Sequence, residues 1–124
     1  MRYIGMQNPA NLDVTAQARL VAIEVYRATR HFPVEERYGL TSQMRRAAVG
    51  IGSSIAEGCG RYGDHELARF CNVALGSASE LEFQTQLSGD LGFLPPDVGT
   101  PLLNEISRAK KMLARLIKAL RPDR

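Results

Sequence analysis

Apolar residues return every three or four positions in four separate stretches, the spacing of helices that bury one face. The first stretch carries Val14, Ala18, Val21, Val25, Ala28 and Phe32 and predicts a helix over 13–31 that stops before Pro33. The second carries Leu40, Met44, Ala47, Ile51, Ile55 and Gly58 and predicts a helix over 40–59. Thr41 or Ser42 is available as its start signal after Gly39. A third stripe, Leu67, Cys71, Ala74, Ala78, Leu81 and Thr85, predicts a helix over 64–90 with Asp64 as N-cap. The fourth, Ile106, Ala109, Leu113, Leu116 and Leu120, predicts a helix over 100–120, with Thr100 as N-cap and Pro101 as first helical residue. No stretch alternates with the two-residue period of a half-buried strand.

Breakers separate the four patterns at His31–Pro33, Gly58–Gly63 and Gly92–Pro96. The connections are short, so consecutive helices are expected to run antiparallel. The prediction is an all-α, up-down-up-down four-helix bundle, with residues 1–124 forming one domain. The second stretch is unusual for a helix: Gly50, Gly52, Gly58 and Gly60 fall within eleven residues. Each glycine inside a helix costs up to about 1 kcal/mol relative to alanine, so close approach of another backbone or a ligand is expected there.

Composition narrows the class. With 44% hydrophobic and 23% charged residues the chain is neither disordered nor fibrous, and 124 residues can bury one core without staples. The cysteines, Cys59 and Cys71, lack CxxC or metal-ligand spacing and read as reduced thiols. The first residues carry no apolar leader and no apolar run approaches membrane-spanning length, so a soluble, cytoplasmic protein without membrane contact is expected. Charge is unevenly spread. Residues 105–124 hold seven basic residues, all three lysines among them, against two acidic ones, whereas the first 104 residues are net acidic. The positive charge therefore belongs to one segment.

Candidate chemistry is sparse. Gly58-Cys59-Gly60-Arg61-Tyr62-Gly63 fits GxGxxG, but a dinucleotide fingerprint needs a strand before it, and here a helix precedes. It reads as a helix end and turn. Ser53, Ser54, Asp64 and His65 have no nucleophile elbow, and His31 and His65 have no i,i+4 partner for a metal. No catalytic residue, metal site or cofactor is expected, and the chain is read as a non-enzyme.

Two faces lie away from the apolar stripes. At about 100° per residue, Arg46, Gly50, Ser53 and Glu57 share one side of the second helix, and Arg69, Gly76, Glu80 and Phe83 one side of the third, with Leu87 beyond. A symmetric hairpin would set Arg46 level with Glu80, Gly50 with Gly76 and Glu57 with Arg69. Complementary charge and paired glycines predict a close-packed seam, within the chain or, as the better reading, between subunits. On the fourth helix Arg108, Lys111, Arg115 and Lys118 step by three, four and three residues, opposite its apolar stripe. Solvated faces ordinarily mix signs and this ridge does not, which suits a polyanion backbone. No aromatic residue is interleaved, so the ridge itself offers no base stacking.

The run YGLTSQMRRAAVGIGSSIAEGCGR, followed by RFCNVALGSASELEFQ, resembles the bacterial four-helix-bundle family of proteins encoded in intervening sequences of 23S rRNA genes. Tyr38, Gly39, Leu40, Gln43, Arg45, Arg46, Ala47, Ala48, Ile51, Ile55, Ala56, Glu57, Gly58, Gly60 and Arg61 carry the first motif. Phe70, Ala74, Gly76, Ser77, Glu80 and Leu81 carry the second. The chain departs at Gly50, Gly52 and Ser54, where the family pattern has Ser, Pro and Asn. The family is similar to the accessory protein of diversity-generating retroelements, a basic homopentamer, so the resemblance implies a ring of five subunits, RNA or DNA as partner, and no enzymatic activity. The resulting expectation is a homo-oligomer that binds nucleic acid through the ridge. A structural module that meets an unidentified protein partner is the alternative.

Overall fold

The hydrophobic stripes become four helices in a computed structural model that describes residues 12–121. Residues 1–11 of the expected domain, and the charges of Asp123 and Arg124, lie outside the described residues. The helices are α1 (Asp13–Thr29), α2 (Leu40–Cys59), α3 (Asp64–Asp90) and α4 (Pro96–Leu120), with a short 3-10 turn at Val34–Glu36 before α2. No strand occurs among the described residues. Each helix packs on its sequence neighbours and α1 closes on α4, while the backbones of the diagonal pairs stay apart. The bundle is therefore a square in which α2 and α4 stand at opposite corners.

The stripes read from sequence line its centre. Val14, Ala18, Val21, Val25, Met44, Ile51, Ile55, Leu67, Cys71, Ala74, Leu81, Ile106 and Leu113 are all buried. Leu40 and Leu116 are half-buried at the edge of the same core. Phe32 and Phe93 meet with ring centroids 5.7 Å apart, beside the 3-10 turn and the α3–α4 connection. Residues outside the stripes join them: Ala48, Ala68, Leu94 and Leu102 are buried, as are Gln84 and Ser88. Ser88 is reconciled with burial by donating its hydroxyl to the Gln84 carbonyl at 2.8 Å and approaching the Met44 sulfur at 3.3 Å.

The ends of the helices correct several expectations. Neither Thr41 nor Ser42 caps α2. Gly39 holds the cap position, and the Glu36 carboxylate accepts from the Leu40 N–H at 3.0 Å. The 3-10 turn places that carboxylate, so the start signal lies upstream of the helix. Gly63 rather than Asp64 is the cap residue of α3, with Asp64 its first helical residue. The fourth helix starts four residues earlier than the pattern indicates. Pro95, extended at ψ 152°, is its cap, and Pro96 takes the N1 position assigned to Pro101. Pro101 lies inside the helix, where its missing N–H leaves the Asp97 carbonyl without the ordinary i→i−4 bond. The Pro95-Pro96 pair opens the helix instead of breaking the chain before it, because proline is favoured in a first helical turn.

Gly92 shows why α3 stops. It adopts φ +80°, its N–H bonds to Gly89 and the Phe93 N–H reaches back to the Ser88 carbonyl at 2.9 Å. This is a Schellman closure, and its left-handed residue favours glycine.

Candidate nucleic-acid interface

Arg108, Lys111, Arg115 and Lys118 are all exposed on α4. With a rise of 1.5 Å per residue they span about 15 Å of one helix face. None has an ion-pair partner among the described residues. Their neighbour Lys110 behaves differently, reaching across to Glu82 of α3 at 3.0 Å. Arg115 also lines a shallow hollow with Asp13 and Met112, where α1 meets α4. The opposite side of α4 is apolar and buried, so the four cations sit on a rigid rod fixed from behind.

Several cations elsewhere are committed. Arg61 pairs with Glu57 at 2.9 Å and Arg69 with Glu66 at 3.1 Å. The Arg69 hydrogen bond holds the Glu66 carboxyl below the usual range, and the same bond raises the guanidinium. Both guanidiniums lie over Phe70, at 5.2 Å and 4.5 Å from the ring centre. That end of the α2–α3 hairpin is a neutralised, structural cluster. Arg121 is engaged too, donating to the His65 carbonyl at 3.4 Å.

The expected pairing along α2 and α3 is corrected within the chain. Glu57 bonds to Arg61 instead of Arg69, and Arg46 makes no ion pair with Glu80. Gly50 does face α3, but a side chain there would meet Ser77 Oγ at 3.4 Å, while Gly76 is exposed with no atom within 4 Å. The close approach lies at Gly58, where a Cβ would come within 2.8 Å of Phe70 Cβ and 3.0 Å of Leu67 Cδ1. Gly50 thus meets Ser77 where the symmetric arrangement sets Gly76, and one residue turns a helical side chain by about 100°. Ser53 and Glu80 are exposed, Phe83 is 63% exposed and Leu87 half-buried. Val49 and Val73, 44% and 49% exposed, extend the same outer faces.

A second basic surface was not visible in the sequence. The end of α1, the 3-10 turn and the start of α2 enclose an open hollow of about 450 Å³ among Tyr26, Arg37, Tyr38, Arg45 and Arg46. Arg37, Tyr38, Arg45 and Arg46 lie close together in sequence, in the turn before α2 and on its first turns, and packing of α1 on α2 adds Tyr26.

No three of the His, Cys, Asp and Glu side chains among the described residues are grouped as a metal would need. Cys59 and Cys71 are unbridged and buried. Burial, with a smaller contribution from Cys59, pushes the Cys71 thiol up to about 12. No helix among the described residues is long and apolar enough to cross a membrane.

The model of the 23S rRNA-intervening sequence proteins matches residues 10–115. A crystal structure of a protein of unknown function, from the S23 ribosomal protein family of Bacteroides thetaiotaomicron, superposes with a TM-score of 0.78. The two share 20% identity over 85% of this chain and 95% of that one, a likeness of fold. No curated protein matches the chain.

Proposed function

Given that the chain belongs to the 23S rRNA-intervening sequence protein family, we propose that it is a non-enzymatic, homo-oligomeric protein that binds RNA or another nucleic acid through α4. The observation that carries this reading is the ridge of Arg108, Lys111, Arg115 and Lys118, exposed on one face and without a carboxylate partner among the described residues. Unpaired cations at regular spacing on a rigid rod gain by displacing counterions from phosphates. Such contacts position a polyanion and carry no sequence information.

Assembly belongs to the same proposal. Val73 and Phe83 leave apolar surface on the outer face of α3, beside the small residue Gly76 and near Ser53 of α2. Burying it between copies in a closed ring is the ordinary solution. The resemblance to the retroelement accessory protein selects five copies. Repeated around a ring, the ridge gains avidity that one chain lacks.

Binding of single-stranded RNA, duplex RNA and duplex DNA across a salt series tests the reading. Replacing the four ridge cations by Gln leaves helicity and assembly intact, weakens all three ligands alike and flattens the salt dependence. If the variant binds as the parent does, the ridge is a solvated face. The outer apolar faces then favour the alternative, a structural module for another protein.

A further inference from the structure

The hollow between α1 and α2 has a chemistry the ridge lacks. Three arginines, Arg37, Arg45 and Arg46, share it with Tyr26 and Tyr38, and no carboxylate lines it. Arg45 is fixed: its Nε donates to Thr29 Oγ1 at 2.9 Å, and its guanidinium lies 4.6 Å from the centre of the Tyr26 ring. Arg37 and Arg46 are exposed and have no ion-pair partner among the described residues. The nearby Glu36 carboxylate is occupied by the Leu40 N–H. Tyr38 is 88% exposed, far more than a tyrosine used for packing. The hollow is large enough for one nucleotide, since small-ligand sites begin near 300 Å³.

We propose that this hollow binds a nucleotide of single-stranded RNA, with Arg37 and Arg46 on the phosphate and the base stacked on Tyr38. Guanidiniums match phosphate in two-pronged fashion, and an exposed aromatic ring offers a face to any unpaired base. The hydroxyls of Thr41 and Ser42, which also line the hollow, add donors for ribose or phosphate oxygens. A base held in a duplex cannot reach the ring, so the site distinguishes single strands from duplexes where the ridge does not. The inference rests on the nucleic-acid reading above but uses different residues, in the turn before α2 and on α2 itself.

The test is binding of labelled oligoadenylate and of duplex RNA to the full chain, with Tyr38→Ala, Tyr38→Phe and the double variant Arg37→Gln/Arg46→Gln. Tyr38→Ala is expected to weaken oligoadenylate about tenfold and leave duplex RNA unchanged, while Tyr38→Phe, which keeps the ring face, binds as the parent does. The double arginine variant weakens oligoadenylate and flattens its salt dependence. Because the chain contains no tryptophan, quenching of tyrosine emission by oligoadenylate, lost in Tyr38→Ala, reports the stack directly. Unfolding curves of all variants are expected to overlay the parent, since the three side chains are exposed. Equal affinity of Tyr38→Ala and parent for oligoadenylate overturns the proposal. So does an equal loss on duplex RNA, and so does AMP or inorganic phosphate competing as strongly as the strand, which would mark a small-anion site. The two surfaces fail separately. Loss on replacing the ridge but not Tyr38 removes only the hollow, and the reverse removes only the ridge.

Discussion

Gly58→Ala isolates the closest contact in the fold. The new Cβ would lie 2.8 Å from Phe70 Cβ and 3.3 Å from Leu67 Cα. Those atoms are backbone or one bond from it, so no rotamer change relieves the clash and α2 must move away from α3. Overpacking of this kind costs about 1–3 kcal/mol. Alanine returns part of that, up to about 1 kcal/mol, through helix propensity and a stiffer unfolded chain. The expected net loss is about 1 kcal/mol, or roughly 4 °C in Tm for a chain of this size. Gly76→Ala is the control, because the same change meets no atom within 4 Å. There only the favourable part remains, so Tm is expected to rise by roughly 2–4 °C. Thermal melts by circular dichroism at one fixed protein concentration compare the three proteins, since assembly makes Tm depend on concentration. A Gly58→Ala protein that melts at or above the parent refutes the close-approach argument. Should Gly76→Ala melt lower and also dissociate, the exposed face of α3 is covered by another copy.

Two further outcomes follow from local chemistry. Glu36→Ala, which frees the Leu40 N–H, is expected to cost about 1 kcal/mol in urea unfolding, with Thr41→Ala and Ser42→Ala costing less; the reverse order would restore the hydroxyl cap. The buried thiols should react with a disulfide reagent slowly in the folded chain and fast in urea. Because folding raises the Cys71 pKa from near 9 to about 12, its contribution to stability is complete below the lower value and is lost as pH rises towards the upper one. Urea midpoints near pH 8 and near pH 10 are expected to fall less in Cys71→Ala than in the parent, and equal falls would discard the thiol as the cause.

Periodicity exposed the core because burial follows a simple repeat: all six members of the α1 stripe and all six of the α3 stripe are buried. Helix ends were harder to read, because the group that caps α2 sits four residues upstream in a turn the repeat does not mark. The pairing expected within the chain failed on register. Sequence spacing orders residues along each helix but leaves the rotation of one helix against another free by a residue, and that sufficed to set Gly50 on Ser77 instead of Gly76. The ridge was legible since its four cations lie on one helix. Most of the hollow lies in one sequence run, 37–49, but Tyr26, the ring that holds Arg45, joins it only when α1 packs on α2.

The square arrangement of helices also sets an order of assembly. Three of its four joints link consecutive helices and close through short turns. The fourth joins α1 to α4, where the Gln17 amide donates to the Glu105 carbonyl at 2.9 Å and its carboxylate at 2.8 Å, 88 residues away along the chain. Local hairpins form without a large loop penalty, whereas contacts so distant gain only after the intervening chain is ordered. The α1–α4 joint is therefore expected to be the last to close and the first to part. If parting opens a cleft along the first and last helices while the α2–α3 hairpin stays folded, amide exchange in α1 and α4 is expected to outpace exchange in the hairpin, and equal rates throughout would refute this order. The ridge rides on one edge of that cleft.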